Sequence, residues 1–435
     1  MRSAALALAA VVGCVGCPGD DVPCGAAGAL VAGPAVESGA AVGFPMLRHD
    51  GSRAASGALA LAASHQVSVP LGFSAEWVVA VPAPGGSVWV ATRSGEDPVA
   101  FFAPTGMVTA EEAVAVSLQA TSRGPAPPTL VRNPDGAVFL LDLGDDRASH
   151  APPRSWDDGH VAWVTCGGEL VVRDGDDERR HRVGALPDAR ITREGDRLAI
   201  LGDATTRYTH GALGDDAEGG AIYVVGLDGS ETRIGLGGDA VVEGTSAGWG
   251  NLQGDGSPEL VVTVSNLPGG ARHRAYDPDT GTLLGASEPA GGSSFWRHRL
   301  AVADGRIVSV RTPHIGGVIE LLALDGGSLA HTEEMEGFST HRFARRNLDQ
   351  GLLADLGGAS PGLDLLVPTQ DQRTLVAFEV RGDGLDQQLV ELTRRPLDAR
   401  LASNVFGVDT DGGLVLGAAH EGGDLVLWLA SSGVD

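Results

Sequence analysis

Seven glycine-bearing hairpins recur along this chain at a spacing that only a modular β architecture satisfies. They read GGSVWVA near Gly86, DGAVFLL near Gly136, EGDRLAI near Gly195, GDGSPELVV near Asp255, DGRIVSV near Gly305, PGLDLLV near Gly362 and GGLVLGA near Gly412. Successive intervals are 50, 59, 60, 50, 57 and 50 residues. Each is a Gly or Asp turn followed by a short run of Val, Leu or Ile, the pattern of a strand leaving a tight turn. No long helical periodicity interrupts them. A unit of about fifty residues holds four strands and their loops, and such a unit cannot bury both of its faces alone. The fold expected is therefore all-β, a single seven-bladed β-propeller. CGGELVV near Gly168 is one hairpin too many for that count and makes eight blades the alternative.

Composition narrows the function. Glycine is abundant (64 residues) and aromatics make up only 5% of the chain, so cores must come from Val, Leu and Ala. Thirty-one basic against 56 acidic residues give a net charge of −25. That surface repels phosphate backbones and excludes nucleic acid as a partner. Every basic residue is arginine. Without lysine there is no Walker A loop, kinase-type lysine or Schiff base.

The N-terminus reads as a targeting segment. Arg2 precedes AALALAAVV, an apolar run too short to span a bilayer. VVGC (Val11 to Cys14) then resembles the lipobox of bacterial lipoproteins. The resemblance implies a signal peptide over residues 1–13 and lipidation of Cys14, with Cys17 as the alternative. Val15 in the sorting position implies an outer-membrane lipoprotein of the bacterial cell envelope, facing the periplasm or the outside. Residues 14–45 are rich in Gly, Ala and Pro and cannot bury enough apolar surface to offset ordering entropy, so they form a flexible tether. The propeller is expected over residues 46–435. Cys17 and Cys24 could pair within the tether, and Cys166, in the apolar run VAWVTC, is expected to be a free buried thiol. No second CxxC pair supports structural zinc.

One stretch carries two motifs: GTSAGWGNLQGDGSPELVVTV, Gly244 to Val264. GTSAG matches the G-x-S-x-G nucleophile elbow, which must lie on a strand-to-helix turn. Here it runs into a second turn and a strand, so Ser246 is expected to be a turn or strand residue, and no catalytic residue is assigned. The remainder, GNLQGDGSPELVV, resembles the G-D-L-N-G-D-G-x-x-D-L-V-V repeat of FG-GAP and VCBS propellers, as in integrin α-chain heads. That resemblance implies Ca²⁺ ligands at Asn251, Gln253, Asp255 and Glu259. Calcium accepts such a mixture of carboxylate and amide oxygens. Two usual carboxylates are amides here, so a weak calcium site and a purely structural turn both stay open. ADLGGASPGLDLLVP (Ala354 to Pro368) repeats the plan with Asp355 and Asp364, but Gly357 and Ala359 offer no ligand.

Other segments, AYDPDTGTLLG, LLALDGGSLAH and YVVGLDGSETRIG, resemble the outer hairpin of quinoprotein-type (PQQ-like) repeats, in architecture only. The charge run RDGDDERRHR reads as a solvated loop. The function expected is that of a monomeric, membrane-anchored, non-enzymatic binding or scaffolding propeller for an envelope protein or glycan, with Ca²⁺ as its one candidate cofactor. The rival is a propeller hydrolase or lyase acting on an extracellular polymer. Its mark would be His, Asp and Arg converging from several blades on one face.

Overall fold

The computed structural model describes residues 54–82, 88–93, 100–103, 114–117, 130–132, 138–140, 147–148, 150–156, 158–208, 210–292, 295–343, 345–360 and 362–430. The proposed signal peptide and tether, Cys14, Cys17 and the start of the proposed propeller domain lie outside them. Among the described residues the only helical turn is the 3-10 turn Leu61–Ala63, and no helix is long and apolar enough to cross a membrane.

Strands follow one another as antiparallel meanders. Four-stranded units begin at Trp77–Pro82, Arg154–Ser155, Thr192–Glu194, Val241–Val242, Arg297–Ala303, Leu352–Asp355 and Leu401–Thr410. The units that start at Val241 and Arg297 are joined into one nine-stranded sheet by a single parallel bridge, Ala286 to Ser328. First strands of successive units touch. Contacts run from Thr192–Glu194 to Gly248–Gly250, on to Arg297–Ala303, to Leu352–Asp355, to Leu401–Thr410 and to Trp77–Pro82. This is a propeller-like arrangement, with first strands innermost. His65–Pro70 closes it by adding antiparallel to Asp424–Leu429 as the outer strand of the last unit. The strand Ala54–Ala58, made only of Ala, Ser and Gly, pairs in parallel with Leu352–Asp355 and touches Leu401–Thr410.

A clear seven-bladed disc is not what the sheets form. CGGELVV belongs to a complete sheet of its own, Arg154–Ser155 to Asp177–His181, whereas DGAVFLL contributes to a two-stranded pair, Leu130–Arg132 with Val138–Leu140. The physical reason is that hairpin spacing counts turns between first and second strands, and the CGG turn instead joins the second strand of its sheet, Val161–Val164, to the third, Leu170–Asp174. Such spacing does not register whether an outer pair follows. The expected free thiol is also corrected, because Cys166 is disulfide-bonded.

The sheets pack through Val, Leu and Ala, as the composition requires, with Trp249, Trp296 and Trp428 fully buried. Meander topology then decides where polar residues go. Turns between strands one and two, and three and four, emerge at one end of the molecule, here the hairpin end. Turns between strands two and three, and the connections to the next unit, emerge at the other, here the crossover end.

Candidate functional site

The motif-bearing stretch is divided between these ends. Val241–Val242 and Gly248–Gly250 both pair with Glu259–Asn266, so residues 243–247 form a bulge within one innermost strand. GTSAG is therefore no elbow. Ser246 accepts a hydrogen bond on Oγ from Arg299 Nη2 at 3.1 Å, and the same nitrogen donates to the Ser246 carbonyl at 3.1 Å. The glycines answer to packing: a Cβ at Gly248 would sit 2.3 Å from Arg299 Nη1, and one at Gly250 2.2 Å from Val302 Cγ1. The next unit comes too close for any side chain at these two positions.

The calcium-type loop lies at the hairpin end. Asn251, Gln253 and Asp255 are exposed and Glu259 is buried. The Glu259 carboxylate turns back on its own loop, accepting from Leu252 N–H at 2.7 Å and from the Gln253 amide at 2.7 Å. Asp255 caps a turn by accepting from Ser257 N–H at 2.8 Å. The second copy is built alike. Asp364 Oδ2 accepts from Leu356 N–H at 2.9 Å and Gly358 N–H at 3.1 Å, and Asp355 accepts from Gly357 N–H at 3.1 Å. In both loops the carboxylate at the start of the second strand satisfies backbone donors that would otherwise be buried without a partner.

The crossover end collects the groups that no motif announced. Arg190, entering the strand Thr192–Glu194, donates from Nη1 to both oxygens of Asp349 at 2.9 and 2.8 Å, with both side chains buried. Arg346 binds Asp215 at 2.6 Å, lies 3.5 Å from Asp188 and donates to His150 Nε2 at 3.2 Å. Glu243 joins His210 Nδ1 to the Ser265 hydroxyl. Trp296 Nε1 donates to the Glu243 carbonyl at 3.1 Å, and the ring stacks on His298 at 5.6 Å.

Charge crowding shifts these groups. Burial, with the nearby carboxylates of Glu243, Asp188 and Asp215, raises Glu218 well above the usual carboxylate range. Burial and the Asp215 charge push Asp188 up to about 6 despite Arg346 and Arg190. Burial, then repulsion from His210, lowers His314 to about 4. Burial also lowers His341 to about 3, against a hydrogen bond to the Arg345 carbonyl.

A cavity of about 330 Å³ opens at the same end, lined by Ser74, Glu76, Arg342, Arg345, Asn347 and Gln350, with Ala402 and Glu421. Its guanidiniums are paired, Arg342 with Glu421 at 2.6 Å and Arg345 with Glu76 at 3.3 Å. Asn347 Nδ2 donates to the Glu76 carbonyl at 2.7 Å. Phe343, Phe295 and Ile315 are exposed, and the Phe343 ring packs edge-on against His314 at 5.4 Å. A smaller cavity of about 30 Å³, the size of one water, lies under the bulge between Ser246, Arg190, Asp349 and His298. Among the described residues, one group brings three metal-type ligand atoms within 4.8 Å of one another: Glu320, His331 and Glu334. Glu320 there is already held by Arg297 Nε at 2.9 Å and Arg311 Nε at 2.7 Å, so two fixed cations occupy the place of an ion.

Sequence reasoning missed Arg190, His210, Glu218, Glu243, His314, His341 and Asp349 as site residues. Their only common signal is that they are polar residues in, or next to, the connections between hairpins.

No family model and no curated protein matches the chain. Solved structures do. A europium-containing methanol dehydrogenase aligns with a TM-score of 0.52 at 9% identity over 90% of this chain and 98% of its own. The C-terminal WD40 domain of Sif2 aligns with a TM-score of 0.50 at 11% identity over 84% and 99%. An inactive virginiamycin B lyase from Staphylococcus aureus with quinupristin aligns with a TM-score of 0.46 at 12% identity over 85% and 100%. At such identities the first two support the propeller fold alone, and the third carries no weight.

Proposed function

We propose that this protein is a binding propeller, built from FG-GAP/VCBS-like units, whose crossover end holds a neutral, hydroxyl-rich ligand of the glycan class. Lipidation of Cys14 would display it at the bacterial envelope. The observation that carries this reading is the polar cavity whose two arginines and two glutamates are mutually paired, with the exposed Phe343 next in the chain to Arg342. Such a wall offers hydrogen bonds in both directions without a net local charge, as a neutral hydroxyl-rich ligand requires. An anionic ligand would also meet the repulsion of a chain with net charge −25. Titration of the full chain in detergent with neutral envelope oligosaccharides should show saturable heat, weakened at least about tenfold in Arg345→Ala, a loss of about 1.4 kcal/mol. Absence of heat at millimolar sugar would remove the proposal. Cys14→Ser should release the chain from membranes, and Cys17→Ser should not.

The enzymatic reading has one observation in its favour. His, Asp, Glu and Arg do converge at the crossover end, with an acid raised well above the usual carboxylate range (Glu218) and imidazoles lowered by burial (His314, His341). Shortening of a polymer incubated with the chain, abolished in Glu218→Gln, would establish it over simple binding.

A further inference from the structure

Large apolar side chains left exposed are not spread evenly over this molecule. Among the described residues there are six, and Leu267, Phe295, Ile315 and Phe343 stand at the crossover end. Leu267 sits on the turn between Glu259–Asn266 and Gly270–Tyr276, and Ile315 on the turn between Arg306–Arg311 and Val318–Asp325. Phe295 and Phe343 sit on the connections that lead into Arg297–Ala303 and Leu352–Asp355. The four loops form one surface. Ala271 N–H donates to the Phe295 carbonyl at 3.1 Å, Thr312 N–H donates to the Trp296 carbonyl at 2.7 Å, and the Phe343 ring meets His314. Exposures between 42 and 59% mark side chains that stand out from that surface, and apolar groups gathered in this way mark a protein or membrane contact. The other two lie elsewhere, Leu385 at the hairpin end and Leu283 on an outer strand.

The path of the chain favours a membrane. Ala54–Ala58 runs parallel to Leu352–Asp355, a first strand, which starts at the crossover end. Ala54 is therefore at that end, and the 53 residues before it join the ring on the side that carries the four exposed side chains. Those residues include AALALAAVV and VVGC, whose likeness to a lipid-attachment signal implies a bilayer. Charge then selects the kind of lipid. Arg342, Arg345 and Arg346, on the connection that carries Phe343, are paired with Glu421, Glu76 and Asp215, so their charge is not available to an anionic head group. A chain of net charge −25 is also repelled by anionic lipid. What remains is an apolar contact with a zwitterionic surface, which salt does not screen.

We infer that the crossover end docks on a zwitterionic lipid surface through Leu267, Phe295, Ile315 and Phe343. Four side chains give a weak and reversible contact, so the Cys14→Ser chain washes off membranes and still partitions onto excess vesicles at equilibrium. The test uses that full chain, mixed with phosphatidylcholine vesicles and sedimented across a lipid series. Binding should saturate and stay the same between about 0.1 and 0.5 M salt. In the same background, Ile315→Ser with Phe343→Ser should unfold at the parent temperature and bind at least about tenfold more weakly. Leu283→Ser with Leu385→Ser, away from this end, should bind like the parent. Four results would each overturn the inference: no binding, undiminished binding without Ile315 and Phe343, loss in the Leu283 and Leu385 variant, or vesicle-free dimerisation that the Ile315 and Phe343 variant abolishes. The contact does not depend on the glycan reading. Neither Ile315 nor Phe343 lines the cavity, so sugar titration of their variant without vesicles should match the parent and keeps the two proposals apart.

Discussion

The two stapled loops at the hairpin end and the Arg190 and Asn347 contacts at the crossover end hold their polar groups over opposite chain distances. At the hairpin end, Glu259 reaches Leu252 across 7 residues and Asp364 reaches Leu356 across 8. At the crossover end, Arg190 reaches Asp349 across 159 residues and Asn347 reaches Glu76 across 271. The first kind of bond closes a turn within one unit. The second ties separate units together, and its loss should be felt by the whole ring.

The largest effect expected from this contrast is at Arg190. Arg190→Ala removes the buried guanidinium that pairs with Asp349 and should destabilise the chain by about 3–5 kcal/mol, read by urea unfolding. Replacing both partners together (Arg190→Met with Asp349→Leu) should restore most of that loss, because an unpaired buried charge costs more than an absent pair. If the single variant unfolds like the parent, the crossover end does not hold the ring together.

At the hairpin end, Glu259→Ala and Asp364→Ala should each cost about 1–3 kcal/mol by leaving backbone N–H groups unsatisfied. Glu259→Gln, which keeps an acceptor for Leu252 N–H, should cost clearly less. Equal losses for Ala and Gln at Glu259 would mean that charge, not the staple, holds the loop.

Glu218→Gln should stabilise, and only at the higher pH. Its folded pKa is raised, so the ionised form is penalised in the folded state. That penalty is absent below the ordinary carboxylate value and grows as pH rises through the interval up to the raised one. A gain present near pH 7.5 should therefore fade by about pH 4. A gain independent of pH would point to packing instead.

The smallest effect is expected at Asp255. Its exposed turn cap contributes to a single bond, and Asp255→Ala should change stability by no more than about 0.5 kcal/mol in chelator. If millimolar Ca²⁺ raises the unfolding temperature of the parent and not of this variant, the loop holds an ion as the FG-GAP resemblance implies.

The same contrast explains what was legible beforehand. The strands after Gly195, Asp255, Gly305, Gly362 and Gly412 stand where the hairpin spacing put them. Leu, Val and Gly around a tight turn specify it locally. The number of complete units was not legible, because the turns between first and second strands do not register whether an outer pair follows. The meaning of GTSAG was half legible. The absence of a following helix excluded an elbow, but that Gly248 and Gly250 are glycines because Arg299 and Val302 press on them is a fact about the neighbouring unit.

By itself, then, the sequence determined an all-β chain of stacked units and the stapled turns at one end, since period-2 strands and glycine turns are settled within a few residues. Only the tertiary structure decided that His210, Glu243, His314, His341 and Arg346 meet at the other. These residues are separated by whole units of chain, and nothing in their immediate neighbours encodes a contact that exists only once the ring has closed.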